Sequence, residues 1–114
     1  MKTYKLQKYG NTYEIALLKG AYGNNGTLAI EMYLVENGEL TEPWNMLTVN
    51  IGDSDFMANE TMAFVDTNNN GNDIIQWLVK NKIAKKTPFI GQSGFCTYPL
   101  VSFNSQLLQE MEEM

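Results

Sequence analysis

The chain has 114 residues, 44% of them hydrophobic, and eight basic residues against thirteen acids give a formal net charge of −5. Histidine is absent and every cation is a lysine; the commonest general base and metal ligand is therefore missing, as is the guanidinium that reads guanine or phosphate with two hydrogen bonds. One cysteine, Cys96, leaves no internal disulfide, no zinc site and no Cys–His or Ser–His nucleophile pair.

This length suits a single domain over residues 1–114 with its own core. Apolar runs such as Ile15 to Leu18 are too short to cross a bilayer, and MKTYKLQKYG carries lysines without an apolar stretch behind them. With one thiol and no secretory signal, the expected compartment is the cytoplasm and no membrane is involved.

TYKLQKY and TYEIALLK read as two strands joined by Gly10-Asn11 in a type II′ turn. KGAYGNNG, 19–26, reads as a loop. TLAIEMYLVE alternates, with Leu28, Ile30, Met32 and Leu34 on one face. Asn37-Gly38 is the dipeptide preferred in type I′ hairpins. The returning strand runs through WNMLTVNI, with Leu47, Val49 and Ile51 toward the core and Pro43 marking an edge or an interruption. After the acidic loop GDSDFMANE, TMAFVDT is a further short strand.

A helix is expected over 72–83, on the apolar stripe Ile74, Ile75, Leu78 and Val79. Asn70 or Asn72 caps it, Asp73 lies in its first turn, and Lys80 and Lys82 lie in its last. Lys85-Lys86-Thr87-Pro88 ends it, because the residue before proline resists the helical region. In GQSGFCTYPLVSF, 91–103, Gly91 and Gly94 turn the chain into a strand. Phe95, Thr97, Val101 and Phe103 lie on one side of it and Cys96, Tyr98 and Leu100 on the other, with Pro99 at an edge or bulge. NSQLLQEMEEM adds a short C-terminal helix through Leu107, Leu108, Met111 and Met114. The fold class is α+β: a mostly antiparallel sheet of five or six strands with one packed helix and this short terminal one.

Chemistry-bearing patterns are few. DTNNNGND, 66–73, resembles the opening of a calcium loop, with Asp66, Asn68, Asn70 and Gly71 in place, but Trp77 stands where the bidentate glutamate belongs. It reads as a capping-rich turn, and no metal or cofactor is expected. GQSG lacks the second glycine of a nucleophile elbow, Phe95 standing there, and without histidine Ser93 has no activator except a lysine. Cys96 reads as a buried, inert thiol. Lys80 to Lys86 near Trp77 and Phe89 read as helix-end lysines rather than a nucleic-acid contact.

Charge is segregated instead. No base lies between Lys19 and Lys80, whereas Glu31, Glu36, Glu39, Glu42, Asp53, Asp55, Glu60, Asp66 and Asp73 do. A run of this kind is either a set of solvated faces or a negative surface for a basic partner. Glu36, Glu39, Glu42, Asp53, Asp55, Glu60, Asp66 and Asp73 are the candidate partner-binding residues.

AFVDTNN, 63–69, and GQSGFCTYPLVSF, with LAIEMYLVENGEL and LTVNI before them, resemble a family of small proteins of unknown function carried on conjugative elements and plasmids of Gram-positive bacteria. The chain departs from that pattern after Asn69, where Asn70, Gly71 and Asn72 replace a cysteine-proline-tryptophan step. The resemblance implies an accessory protein that protects incoming DNA. It would do so without enzymatic activity and without direct nucleic-acid binding, by engaging a host defence nuclease such as a CRISPR effector or a restriction enzyme. The alternative is an interaction or regulatory module in conjugation or plasmid maintenance, pairing through an edge strand or an apolar C-terminal patch of Leu107, Leu108 and Met111.

Overall fold

A computed structural model describes residues 1–23, 26–51 and 58–114. The described chain is α+β and mostly antiparallel, as expected, but its strands form two sheets rather than one. β1 (Thr3–Lys8), β2 (Asn11–Ala21), β3 (Leu28–Glu36) and β4 (Glu39–Met46) follow one another in space as they do in sequence. β5 (Thr48–Val49), β6 (Met62–Val65), β8 (Cys96–Phe103) and β7 (Ala84–Ser93) make the second sheet in that spatial order.

The two tight hairpins of the first sheet, β1–β2 and β3–β4, are set by left-handed residues. Asn37 and Gly38 have φ of 54° and 80°, and Glu36 pairs with Glu39 across them. This is the expected type I′ turn. In the first hairpin the turn residues are Tyr9 and Gly10, with φ of 53° and 77°, and Lys8 pairs with Asn11. The turn thus begins one residue earlier than expected and is type I′, because Asn11 is already in the ladder.

The chain changes sheets at Leu47. Leu47 N–H donates to Ile30 O, and the buried Thr48 hydroxyl accepts from Ile30 N–H at 3.0 Å, so both residues fasten the crossover to β3. Leu47 enters the main core, while Val49 and Ile51 pack on the far side of the second sheet against Phe64, Tyr98 and Leu100. The main core joins both sheets to the helices through Ile15, Ile30, Met32, Val65, Leu78 and Val101. Each such side chain contributes about 1.5–3 kcal/mol by leaving water.

The helix expected over 72–83 is shorter and preceded by a separate turn. α1 spans Thr67–Asn70 and α2 spans Ile74–Lys80, with Ile74, Ile75 and Leu78 buried and Val79 exposed. Asp73, not an asparagine, sits at the N-cap of α2, and its side chain makes no capping bond. The C-terminus of α2 closes with two crossed bonds, Ile83 N–H to Leu78 O and Lys82 N–H to Val79 O, around Lys82 at φ 58°. Ile83 and Leu78 then meet in the core, as this kind of cap requires. Strand β7 begins directly after this cap, so Lys85, Lys86 and Pro88 lie in an edge strand rather than at a helix end.

β8 shows the expected two-sidedness from Tyr98 onward: Tyr98 and Leu100 pack with Phe64, whereas Val101 and Phe103 face the main core. Phe95 departs from it, being fully exposed in the turn between Ser93 and Cys96. Pro99 lies just past the end of the β6 pairing, which stops at Leu100, and opposite the irregular stretch of β7 between Lys86 and Ile90. Its missing N–H therefore removes nothing from the ladder with β6. Cys96 is half-buried rather than buried.

The C-terminal helix α3 (Ser105–Glu110) is capped by Asn104, whose side chain accepts from Leu107 N–H at 3.2 Å. Helix does not continue to Met114: β9 (Glu112–Glu113) runs parallel to β2 at Leu18 and Lys19, and Met114 N–H donates to Lys19 O.

Beneath α3, Tyr4 is 8% exposed, and its hydroxyl has no hydrogen-bond partner among the described residues. Burial, with the Glu110 carboxylate adding to it, raises the phenol above its usual value of 10.0. A raised phenol favours the folded state below pH ~10 and gives that stability back as pH climbs through the folded value. Tyr4→Phe is expected to leave stability at pH 7 unchanged or higher and to blunt the loss above pH ~10, read by urea melts across that range.

Candidate protein-binding surface

The β3–β4 hairpin brings three of the candidate acids together. Glu36 and Glu39 are cross-strand partners, and Glu42 opposes Leu34. Opposed residues share a face, as do residues two apart on a strand, so Glu36, Glu39, Glu42 and Leu34 all lie on one face. The ladder skips Thr41 to achieve this, and the Thr41 hydroxyl donates to Leu34 O at 3.1 Å. All three carboxylates are exposed, Glu36 at the end of β3 and Glu39 and Glu42 on edge strand β4.

Nothing cationic among the described residues offsets them. The ion pairs there are Lys8–Asp73 at 3.3 Å and Lys19–Glu113 at 4.0 Å, and neither touches this hairpin. Two carboxylates directly opposite on an antiparallel pair repel, and the hairpin carries that cost in a chain already net negative. Glu39→Lys turns the Glu36 repulsion into attraction and is expected to raise Tm by ~2 °C, measured calorimetrically at low salt.

The other candidate acids do not join this face as one set. Asp66 is buried and spent on α1: Oδ1 accepts from Asn69 N–H at 3.1 Å and Oδ2 from the Asn69 amide at 2.8 Å. Asp73 is exposed but bound to Lys8. Glu60 is exposed just before β6. Asp53 and Asp55 lie outside the described residues.

DTNNNGND is a junction. Asn70, 3% exposed, donates from its amide to Met46 O at 3.0 Å and Asp66 O at 2.9 Å and accepts from the Asn45 amide at 3.3 Å. Lys8 reaches in from β1 and donates to Asn70 O at 2.8 Å. The segment that resembles a calcium loop in sequence thus ties β1, β4 and both helix starts together, with the Asp66 carboxylate engaged by Asn69.

The second notable surface is the β7–β8 hairpin. Lys85 and Lys86 are exposed on β7, and Phe89, Ile90 and Phe95 are 51%, 63% and 106% exposed. Trp77 is not part of it, since its indole donates to Lys5 O at 2.7 Å on the opposite side of α2. This surface is hidden in the sequence because Lys85 and Lys86 follow closely on a helix and look like its end, whereas they lie in β7. Burial raises the Tyr98 phenol, with the Cys96 thiol beside it adding to the effect. At the C-terminus, Leu108 is buried and Leu107 and Met111 are half-buried against the core, so they form no exposed apolar patch.

Fold and surfaces together define a small two-sheet α+β domain whose most prominent features are an acidic hairpin and a basic, apolar one. The chain belongs to the DUF4313 family, a domain of unknown function, which matches residues 14–114. No curated protein and no solved structure matches the chain. β1, which supplies the Lys8 contacts to the Asn70 junction, precedes the matched span. No helix among the described residues is long and apolar enough to cross a membrane.

Proposed function

We propose that the chain is a non-enzymatic binding protein whose β3–β4 hairpin docks on a basic protein surface. The observation that carries this reading is the single-faced set Glu36, Glu39 and Glu42, exposed and without a cation among the described residues to neutralise it. Such carboxylates steer a basic partner in at high rate and hold it by complementarity, an effect that salt screens. The segments resembling proteins of mobile elements suggest the partner's class, a host defence nuclease with a lysine- and arginine-rich nucleic-acid channel. So small a set of carboxylates is too sparse for a full mimic of a DNA backbone, and docking beside the channel fits better than filling it. An apolar C-terminal docking patch is the weaker reading, because Leu107, Leu108 and Met111 are engaged by the core.

The test is an affinity capture by the tagged chain from extracts containing a type II CRISPR effector and a restriction enzyme, at low and at high salt. Recovery of either nuclease at low salt and release at high salt supports the reading. Absence of both at either salt removes it.

A further inference from the structure

We infer an anion-binding site, separate from the acidic hairpin: the hollow between the end of α2, the start of β7 and the end of β8 takes the phosphate group of a small organic molecule. The hollow measures about 670 Å³, and Lys82, Lys85, Ser102 and Ser105 all line it. Lys85 and Ser102 are cross-strand partners and share a face. None of these four side chains makes a hydrogen bond or an ion pair among the described residues. No acid lines the hollow, and the sequence holds none between Asp73 and Glu110. Two ammonium groups and two hydroxyls without an acceptor suit a ligand with several acceptor oxygens and more than one negative charge. A phosphate monoester has three such oxygens and nearly two charges at pH 7, whereas a carboxylate has two oxygens and one charge.

The backbone supports the same reading. Lys82 has φ of 58° at the position where helices commonly end on glycine. A side chain in that conformation costs stability that glycine would keep. Asn104 holds the strained turn in place: its N–H donates to Ile83 O at 2.9 Å and its amide to Lys82 O at 3.4 Å. A lysine kept there at a cost, with its backbone clamped beside Ser105, is a preorganised cation rather than a loose surface one. Val79, 43% exposed, lines the same hollow, so the organic part of the ligand has apolar surface to cover. A nucleic-acid strand fits less well, because Phe103, the aromatic of the hollow, is 3% exposed and offers no stacking platform.

The experiment titrates the ¹⁵N-labelled protein with phenyl phosphate, inorganic phosphate, a short oligothymidylate and sodium chloride, the last at matched ionic strength. The expected result is saturable shifts from phenyl phosphate, weaker ones from inorganic phosphate, and both centred on Lys82, Lys85, Ser102 and Ser105. Lys82→Gly should move two readouts in opposite directions. Relief of the left-handed lysine raises Tm by about 4 °C, while loss of the cation weakens phenyl phosphate binding about ten-fold. Lys85→Gln should weaken binding by a similar factor and leave Tm unchanged. The same shifts from sodium chloride overturn the inference, as does undiminished binding by Lys82→Gly. A Tm that falls in Lys82→Gly removes the argument from strain and overturns the preorganised site. Equal binding of the two phosphates overturns the organic ligand in favour of the free ion. Tighter binding of the oligothymidylate, with shifts reaching Lys80 and Lys86, replaces the site with a nucleic-acid surface. No probe anion engages Glu36, Glu39 or Glu42, so this titration and the nuclease capture fail independently.

Discussion

Replacing Asn70 with alanine is expected to cost about 3 kcal/mol, the largest effect of any single polar substitution in the described chain. The side chain is 3% exposed and satisfies two backbone carbonyls, of Met46 and Asp66, while accepting from Asn45. Alanine removes the donor and leaves the Met46 carbonyl unpaired in a place water reaches poorly, a penalty larger than the net gain of the bond itself. Asn70→Asp should be worse near neutrality, because it sets a carboxylate against the two carbonyl oxygens its amide now serves, and should partly recover in acid as that carboxyl takes a proton. Urea melts at pH 4 and pH 7 separate the two variants. A loss below about 1 kcal/mol for alanine would mean that the junction between β1, β4 and the helices is not held by this residue.

Gly91→Ala is the second large effect, at about 1–3 kcal/mol, and it arises from space rather than hydrogen bonding. A Cβ at Gly91 would stand 2.6 Å from Ile51 Cδ1 and 2.7 Å from Phe64 Cε1. Phe64 is wholly buried and opposed by Tyr98 and Leu100, so its ring has nowhere to retreat. Gly94, three residues on, offers a control of the opposite kind. Its φ is 59°, but a Cβ there meets nothing within 4 Å. Alanine at 94 costs only the left-handed backbone penalty of about 1–2 kcal/mol and disturbs no packing. Near-ultraviolet circular dichroism distinguishes them, since only the Gly91 variant should alter the aromatic signal.

These two residues sit in parts of the fold that differ in how openly the sequence displays them. The Asn37-Gly38 hairpin is plain, because two left-handed residues between alternating strands admit few alternatives. The stripe of Ile74, Ile75 and Leu78 likewise locates α2. Strand β7 is hidden because an edge strand with two lysines, a proline and an irregular stretch shows no alternation for a core to impose. The division into two sheets is hidden for a different reason. Leu47, Val49 and Ile51 keep a strand's alternation while the chain changes partners, and local periodicity carries no information about which sheet a strand joins.

The same limit shapes the site. In sequence all carboxylates look alike, so Asp66 stands in one acidic set with Glu36, Glu39 and Glu42. An aspartate three residues before the N–H it caps is a helix-start pattern, and that signal separates Asp66 from the surface acids. Glu36, Glu39 and Glu42, spaced by three, do not look like one face of a strand. A two-residue turn and a skipped Thr41 bring them onto one face, and neither is visible in the spacing.

The most direct test of the acidic hairpin is the affinity of purified protein for a type II CRISPR effector and for a restriction enzyme, measured against salt for the unmodified chain and for the triple variant Glu36→Lys, Glu39→Lys, Glu42→Lys. Asp73→Asn, which disturbs only the Lys8 pair, serves as the charge control. The expected result is binding to one of these nucleases that weakens steeply with salt, falls at least about a hundred-fold in the triple variant and is unchanged in the control. Equal binding by the triple variant, or loss shared with Asp73→Asn, would contradict a role for the hairpin and place any partner contact elsewhere on the molecule.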